Sequence, residues 1–191
     1  LLTGSVAAGF VTLVAGSTWP ADEAPLLDAI VRVREHISGL RVILAPHETV
    51  AAHLEPIERW TKRKGLSVAR VDDQRAESAD LVLVDRYGVL ADLYALADVS
   101  FVGGGFHDAG LHSVLEPAVF GAPVIFGPRH DRSRDAALLL ASGGARAGGP
   151  VAAGGGEDAA TGSDRNASSS FLMLASSSSF ISTLRSVDQP R

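Results

Sequence analysis

The strongest constraint on this chain is the alternation of short aliphatic runs with segments of helical period. FVTLVA at 10–15, LRVILA at 40–45, DLVLVD at 80–85 and DVSFV at 98–102 are of strand length and rich in Val, Leu and Ile. Continuous apolar runs of this kind belong to strands buried on both faces, as in parallel sheets covered by helices. Between the first two runs, Pro20, Asp22 and Glu23 precede Leu26, Leu27, Ile30, Val33 and Ile37, the spacing of a helix with Pro and acids in its first turn. A second helix carries Leu54, Ile57 and Trp60 and ends near Gly65, and a third is expected from about Gly88 to Ala97. LSVARV at 66–71 adds a strand. The fold class that follows is α/β, a doubly wound parallel sheet.

With 191 residues and 46% hydrophobic content, the chain can bury one sizeable core. Residues 1–147 read as that one domain. From 148 onward the sequence turns Gly- and Ser-rich, with runs at 154–156, 168–170 and 176–179, and reads as linker or disordered sequence or as the product of a shifted reading frame. A net charge of -5 gives no electrostatic basis for nucleic-acid binding, and Lys62, Arg63 and Lys64 read as the solvated end of a helix. The chain has no cysteine, which excludes disulfides and thiolate metal sites and fits a cytoplasmic setting. The apolar opening at 1–17 is interrupted by Gly4, Gly9 and Gly16 and lacks the basic flank of a signal peptide.

Ligands of doubly wound sheets sit beyond the carboxyl ends of the strands. The unusual residues fall there: Gly16, Ser17 and Thr18; Pro46, His47 and Glu48; residues 85–88 and 103–105; Gly127 and Pro128. The glycines at 103–105 suit either a tight strand exit or close approach of backbone amides to an anion, with a helix expected to open near Gly110. Asp108 stands where a G-x-G-x-x-G fingerprint would have its third glycine. His112 and Glu116, four apart, share one face of the expected helix, either as a surface pair or as phosphate and ribose contacts. Ser17 and Thr18 read as N-caps that also line a ligand site, and His47 as a second phosphate donor or a loop histidine. His36, His53, His107 and His130 lack metal-ligand spacing and read as solvated. No catalytic triad order, Walker loop or zinc signature is present.

Together and in order, VAGSTWPADE at 14–23, ILAPHE at 43–48, the stretch 79–106 and GLHSVLEPAVFGAPVIFGP at 110–128 resemble the C-terminal half of bacterial 3-deoxy-D-manno-octulosonic acid (Kdo) transferases. The resemblance implies one Rossmann-like half of a GT-B glycosyltransferase, binding CMP-Kdo for inverting transfer of Kdo to a lipid A precursor at the cytoplasmic face of the inner membrane. It implies no bound metal and no cofactor. By position, Gly16, Ser17 and Thr18 line the donor cleft with His47 at its edge, Gly104 and Gly105 approach the phosphate, and His112, Ser113 and Glu116 contact phosphate and ribose. Ser113 stands where the family usually has Asn. The family's catalytic carboxylate and its acceptor and membrane surfaces belong to an N-terminal half that this sequence does not include. Donor binding without turnover is therefore expected, and no catalytic residue is assigned here. The alternatives are a UDP-sugar-dependent GT-B transferase, a sugar-nucleotide epimerase, and a non-catalytic nucleotide-binding module.

Overall fold

The computed structural model describes residues 10–37 and 39–148. The reading of the tail therefore lies outside the described residues, apart from Gly148. Seven strands form one parallel sheet in the order β3-β4-β2-β1-β5-β6-β7: β1 (Val11–Thr18), β2 (Leu40–Pro46), β3 (Val68–Arg70), β4 (Leu81–Leu83), β5 (Val99–Val102), β6 (Val124–Phe126) and β7 (Ala145–Ala147). The chain builds outward from β1 on one side, then crosses back to set β5 against β1, with Leu13 opposite Val99. The strand order reverses there, which makes the carboxyl ends of β1 and β5 the topological switch point.

Helices α1 (Pro20–Arg34) and α2 (Ala51–Arg63) cover one face, α1 laying Leu26, Leu27, Ile30 and Val33 and α2 laying Leu54 and Ile57 against Leu13, Val42, Leu44 and Phe101. On the other face, α3 (Leu90–Tyr94) brings Leu93 and Tyr94 onto Val14, Ile43 and Val82. Further along that face, α5 (Arg134–Ala141) packs Ala136 beside Val102, Val124 and Phe126. Val14, Ile43 and Val82 are fully buried, each such side chain contributing about 1.5–3 kcal/mol. On this second face the buried Arg41 at Nε and Nη2, and Ser100 at Oγ, have no hydrogen-bond partner among the described residues.

Three elements differ from expectation. Strand β1 continues through Thr18, so Ser17 and Thr18 are not N-caps; Trp19 holds that position. The helix expected at 88–97 is confined to Leu90–Tyr94. The helix expected to open near Gly110 is α4 (Leu115–Ala118), which leaves His112 in the connection before it. Pro117 falls in the first turn of α4, where its missing N–H leaves no helical bond unmade.

Candidate functional site at the switch point

Asp22 organises the crevice. It is fully buried in the first turn of α1, and its carboxylate accepts three backbone N–H groups: Trp19 at 2.9 Å and Gly104 at 2.8 Å on Oδ2, and Phe106 at 2.9 Å on Oδ1. The bond from Trp19 N–H caps the start of α1 from the side of Asp22 alone, since the indole cannot accept in return. The other two reach across 82 and 84 residues and clamp the glycine loop to the start of α1. The Gly104 amide, expected to face a phosphate, thus faces a carboxylate of the chain itself.

The glycine loop is a packing device as much as a surface. Gly104 has φ +92, and a Cβ there would lie 2.1 Å from the Gly110 carbonyl oxygen; one on Gly105 would lie 2.4 Å from the Gly127 nitrogen. Main chain meets main chain at both places, which only glycine permits. Gly103 N–H donates to the Gly16 carbonyl at 2.9 Å, and His112 N–H donates to the Gly103 carbonyl at 3.1 Å. The exits of β1 and β5 and the segment carrying His112 are thereby tied together.

Above this frame stands an aromatic and imidazole cluster. Trp19 stacks on His47 with centroids 4.3 Å apart and on His107 at 4.4 Å, while His47 and His112 lie 4.9 Å apart. The Trp19 indole N–H donates to Nε2 of His112 at 3.2 Å, which places the proton of the neutral ring on Nδ1. Burial, reinforced by the neighbouring His47, holds the His112 pKa below its ordinary value, with Asp22 and Glu116 opposing. His112 is therefore a neutral donor at pH 7. His107 accepts the Ala109 N–H at Nδ1, 3.0 Å away.

Behind the crevice, Thr18 donates its hydroxyl to Glu23 at 2.8 Å, and the Glu23 carboxylate meets His53 at 2.9 Å. Burial raises the Glu23 pKa, and the hydrogen bonds from His53 and Thr18 oppose that rise. His53 and His107, read as solvated, are thus packed members of the scaffold.

The candidate residues divide in two. Gly16, Thr18, Gly104 and Gly105 are buried, and a Cβ on Gly16 would lie 2.1 Å from the Tyr94 hydroxyl oxygen. Ser17, with φ +53, is half-buried like His112, whereas His47, Ser113 and Glu116 are exposed. The structure brings Ser17, His47 and His112 to one end of the sheet, and Glu116 is close enough to bear on the titration of both His112 and Tyr94. Asp22, Trp19 and the Glu23–His53 pair carry the architecture without having been singled out. The one signal for Asp22 was its place as an acid in the first turn of α1. Among the described residues no group of three or more His, Asp or Glu side chains converges as a metal site would need. None of the described helices is long and apolar enough to cross a membrane.

Beside this crevice lies an open cleft of about 770 Å³ between the glycine-loop exit and the β6–α5 connection, lined among others by His107, Leu111, Arg129 and Arg132.

No family model matches the chain. It is 32% identical over 123 residues to the 3-deoxy-D-manno-octulosonic acid transferase of Aquifex aeolicus, a match covering 64% of this chain and 33% of the relative. To the enzyme of the same name from Rickettsia prowazekii it is 33% identical over 127 residues, covering 65% of this chain and 27% of that one. The chain thus spans about a third or less of the curated relatives it matches. In fold it is similar to the C-terminal CMP-Kdo binding domain of WaaA from Acinetobacter baumannii, with a TM-score of 0.65, 18% identity, and coverage of 96% of this chain and 91% of that one. A trehalose 6-phosphate synthase from Burkholderia multivorans matches with a TM-score of 0.51 at 12% identity, over 94% of this chain and 40% of that one. Over about two thirds of its length the chain is thus similar to part of the 3-deoxy-D-manno-octulosonic acid transferases, and its fold is that of one Rossmann-like half of the GT-B kind.

Proposed function

We propose that this chain binds the sugar-nucleotide donor of a Kdo transferase, CMP-Kdo, in the crevice at the β1/β5 switch point. The observation that carries the reading is the convergence there of Ser17 at the end of β1 with His47 and His112 from two connections, within a sequence akin to enzymes of that name. The neutral His112 offers Nδ1–H to a phosphate oxygen, His47 and the hydroxyls of Ser17 and Ser113 add donors, and Glu116 accepts the two ribose hydroxyls. Gly16, Thr18, Gly104 and Gly105 shape the floor. In the whole enzyme the bound donor passes Kdo to a lipid A precursor in lipopolysaccharide synthesis. Acceptor binding, the general base and attachment at the cytoplasmic face of the inner membrane then fall to protein outside this chain.

Calorimetry on the whole chain with CMP, UDP and ADP tests the reading. CMP is expected to bind more tightly than the other two, and Glu116→Ala to weaken it about tenfold, as loss of hydrogen bonds to a charged acceptor does. Equal affinity for the three nucleotides would refute the assignment.

A further inference from the structure

Strand β1 does not run out regularly. Val11, Leu13 and Ala15 face α1 and α2, whereas Val14 belongs to the opposite face, where a Cβ on Gly16 would meet the Tyr94 hydroxyl. Strict alternation would send Ser17 toward α1 and Thr18 toward Tyr94. Instead the buried Thr18 hydroxyl donates to Glu23, on the α1 side, at 2.8 Å. The register against β2 slips between Gly16 and Thr18, so Ser17 is the extra residue of a bulge. Its φ of +53 is one that a side-chain-bearing residue adopts only where its surroundings impose it. The main chain is pinned on both sides of it: Gly103 N–H donates to the Gly16 carbonyl at 2.9 Å and His47 N–H to the Thr18 carbonyl at 2.8 Å. Glu23 is itself fixed, its two carboxylate oxygens lying 3.0 and 2.9 Å from Nε2 of His53 in α2. A buried pair of this kind contributes little net stability. What it supplies here is a fixed acceptor for Thr18. Ser17 is left half-buried at the crevice, its hydroxyl without a hydrogen bond among the described residues.

We propose that Thr18, Glu23 and His53 are positioning residues for donor binding, locking the bulge so that Ser17 turns its hydroxyl to the anionic part of the donor instead of into the helix layer. The inference rests on the donor reading above and deepens it by naming the device that aims one of its contacts. Released from Glu23, Thr18 could turn back to the Tyr94 side and β1 resume its alternation, carrying Ser17 toward α1 and its hydroxyl away from the ligand. A serine held at positive φ with an unused hydroxyl is a cost to the empty fold, and a bound anion that accepts from that hydroxyl offsets it. The relay reaches the site from behind, through two helices that make no other part of it.

A double-mutant cycle read by calorimetry with CMP on the whole chain tests this. Ser17→Ala is expected to weaken CMP about tenfold, and Thr18→Val, which keeps the shape and removes the hydroxyl donor, about three- to tenfold. In Ser17→Ala/Thr18→Val the second change should add less than about twofold, because the contact it positions is already gone. Thr18→Ser should stay within about twofold of the unmodified chain, since it keeps the hydroxyl. No loss in Thr18→Val, or the same loss whether or not Ser17 is present, overturns the inference while leaving the preference for CMP over UDP and ADP intact. Thermal unfolding confirms that each variant folds, and Thr18→Ala takes the place of Thr18→Val in the cycle if the latter does not. Ser17→Gly gives a second reading: glycine takes the positive φ at no steric cost, so the thermal midpoint should rise while CMP binding falls as far as in Ser17→Ala. Unchanged CMP affinity in Ser17→Gly overturns the inference as well. Failure of the unmodified chain to prefer CMP overturns both it and the donor reading.

Discussion

Replacing Asp22 tests the architecture of the site most directly. Three backbone donors converge on its two carboxylate oxygens at 2.8–2.9 Å, inside a fully buried environment. Asp22→Asn keeps the shape but converts one oxygen into an amide donor. Turned one way, the amide faces Phe106 N–H; turned the other, it faces both Trp19 and Gly104. At least one bond is lost and two donors are set against each other. A hydrogen bond to a charged acceptor is worth about 1.5–3 kcal/mol, with more lost when a buried donor is orphaned. Asp22→Asn should therefore destabilise the chain by about 2–3 kcal/mol and Asp22→Ala by about 3–5 kcal/mol. Urea unfolding followed by far-UV circular dichroism gives both values. Hydrogen exchange should show the Gly104 and Phe106 amides losing protection first. A cost under about 0.5 kcal/mol for the alanine variant, or unchanged protection at those two amides, would refute the clamp.

Three further outcomes follow from particular contacts. Arg41→Met should stabilise the chain by about 1–2 kcal/mol in the same urea assay, because it removes a buried guanidinium whose Nε and Nη2 lack partners; destabilisation by more than 1 kcal/mol would show that the charge is needed against Asp98. Gly16→Ala should cost about 1–3 kcal/mol by driving a methyl group into the Tyr94 hydroxyl, a loss that Tyr94→Phe in the same chain should partly relieve. The depressed pKa of His112 means that the unfolded chain takes up its proton first as pH falls below about 6.5, so the stability it confers at neutral pH is lost on acidification. Thermal unfolding between pH 7 and pH 5 should show that decline, and His112→Gln should flatten it; an unchanged slope would exclude His112 as its source.

The sheet was legible because its central strands announce themselves. Val14, Ile43 and Val82 sit in runs apolar on both sides, and burial on both faces is what such runs need. Strand β7 gave no such signal: Ala-Arg-Ala carries no apolar run and becomes a strand only by pairing with β6, Val124 opposite Ala145. The position of His112 was misread because its four-residue spacing to Glu116 suggested a shared helix face, whereas α4 begins only at Leu115 and leaves His112 in the connection before it. Asp22 was visible as a first-turn acid, but such an acid looks the same whether it caps its own helix or reaches a loop 82 residues away. The imidazole cluster was hidden for a related reason. His47, His107 and His112 leave three different places in the chain, and only the reversal of strand order brings them to Trp19.

The contacts of Gly104 with Gly110 and of Gly105 with Gly127 bear on how this site can change over time. Where two stretches of backbone touch, there is no side chain at the junction to enlarge, shrink or recharge, and any replacement separates the strands' exits. The floor is accordingly closed to gradual adjustment. A new ligand preference must arise from the residues standing above it, with His47, Ser113 and Glu116, all exposed, the positions free to vary without dismantling what lies beneath.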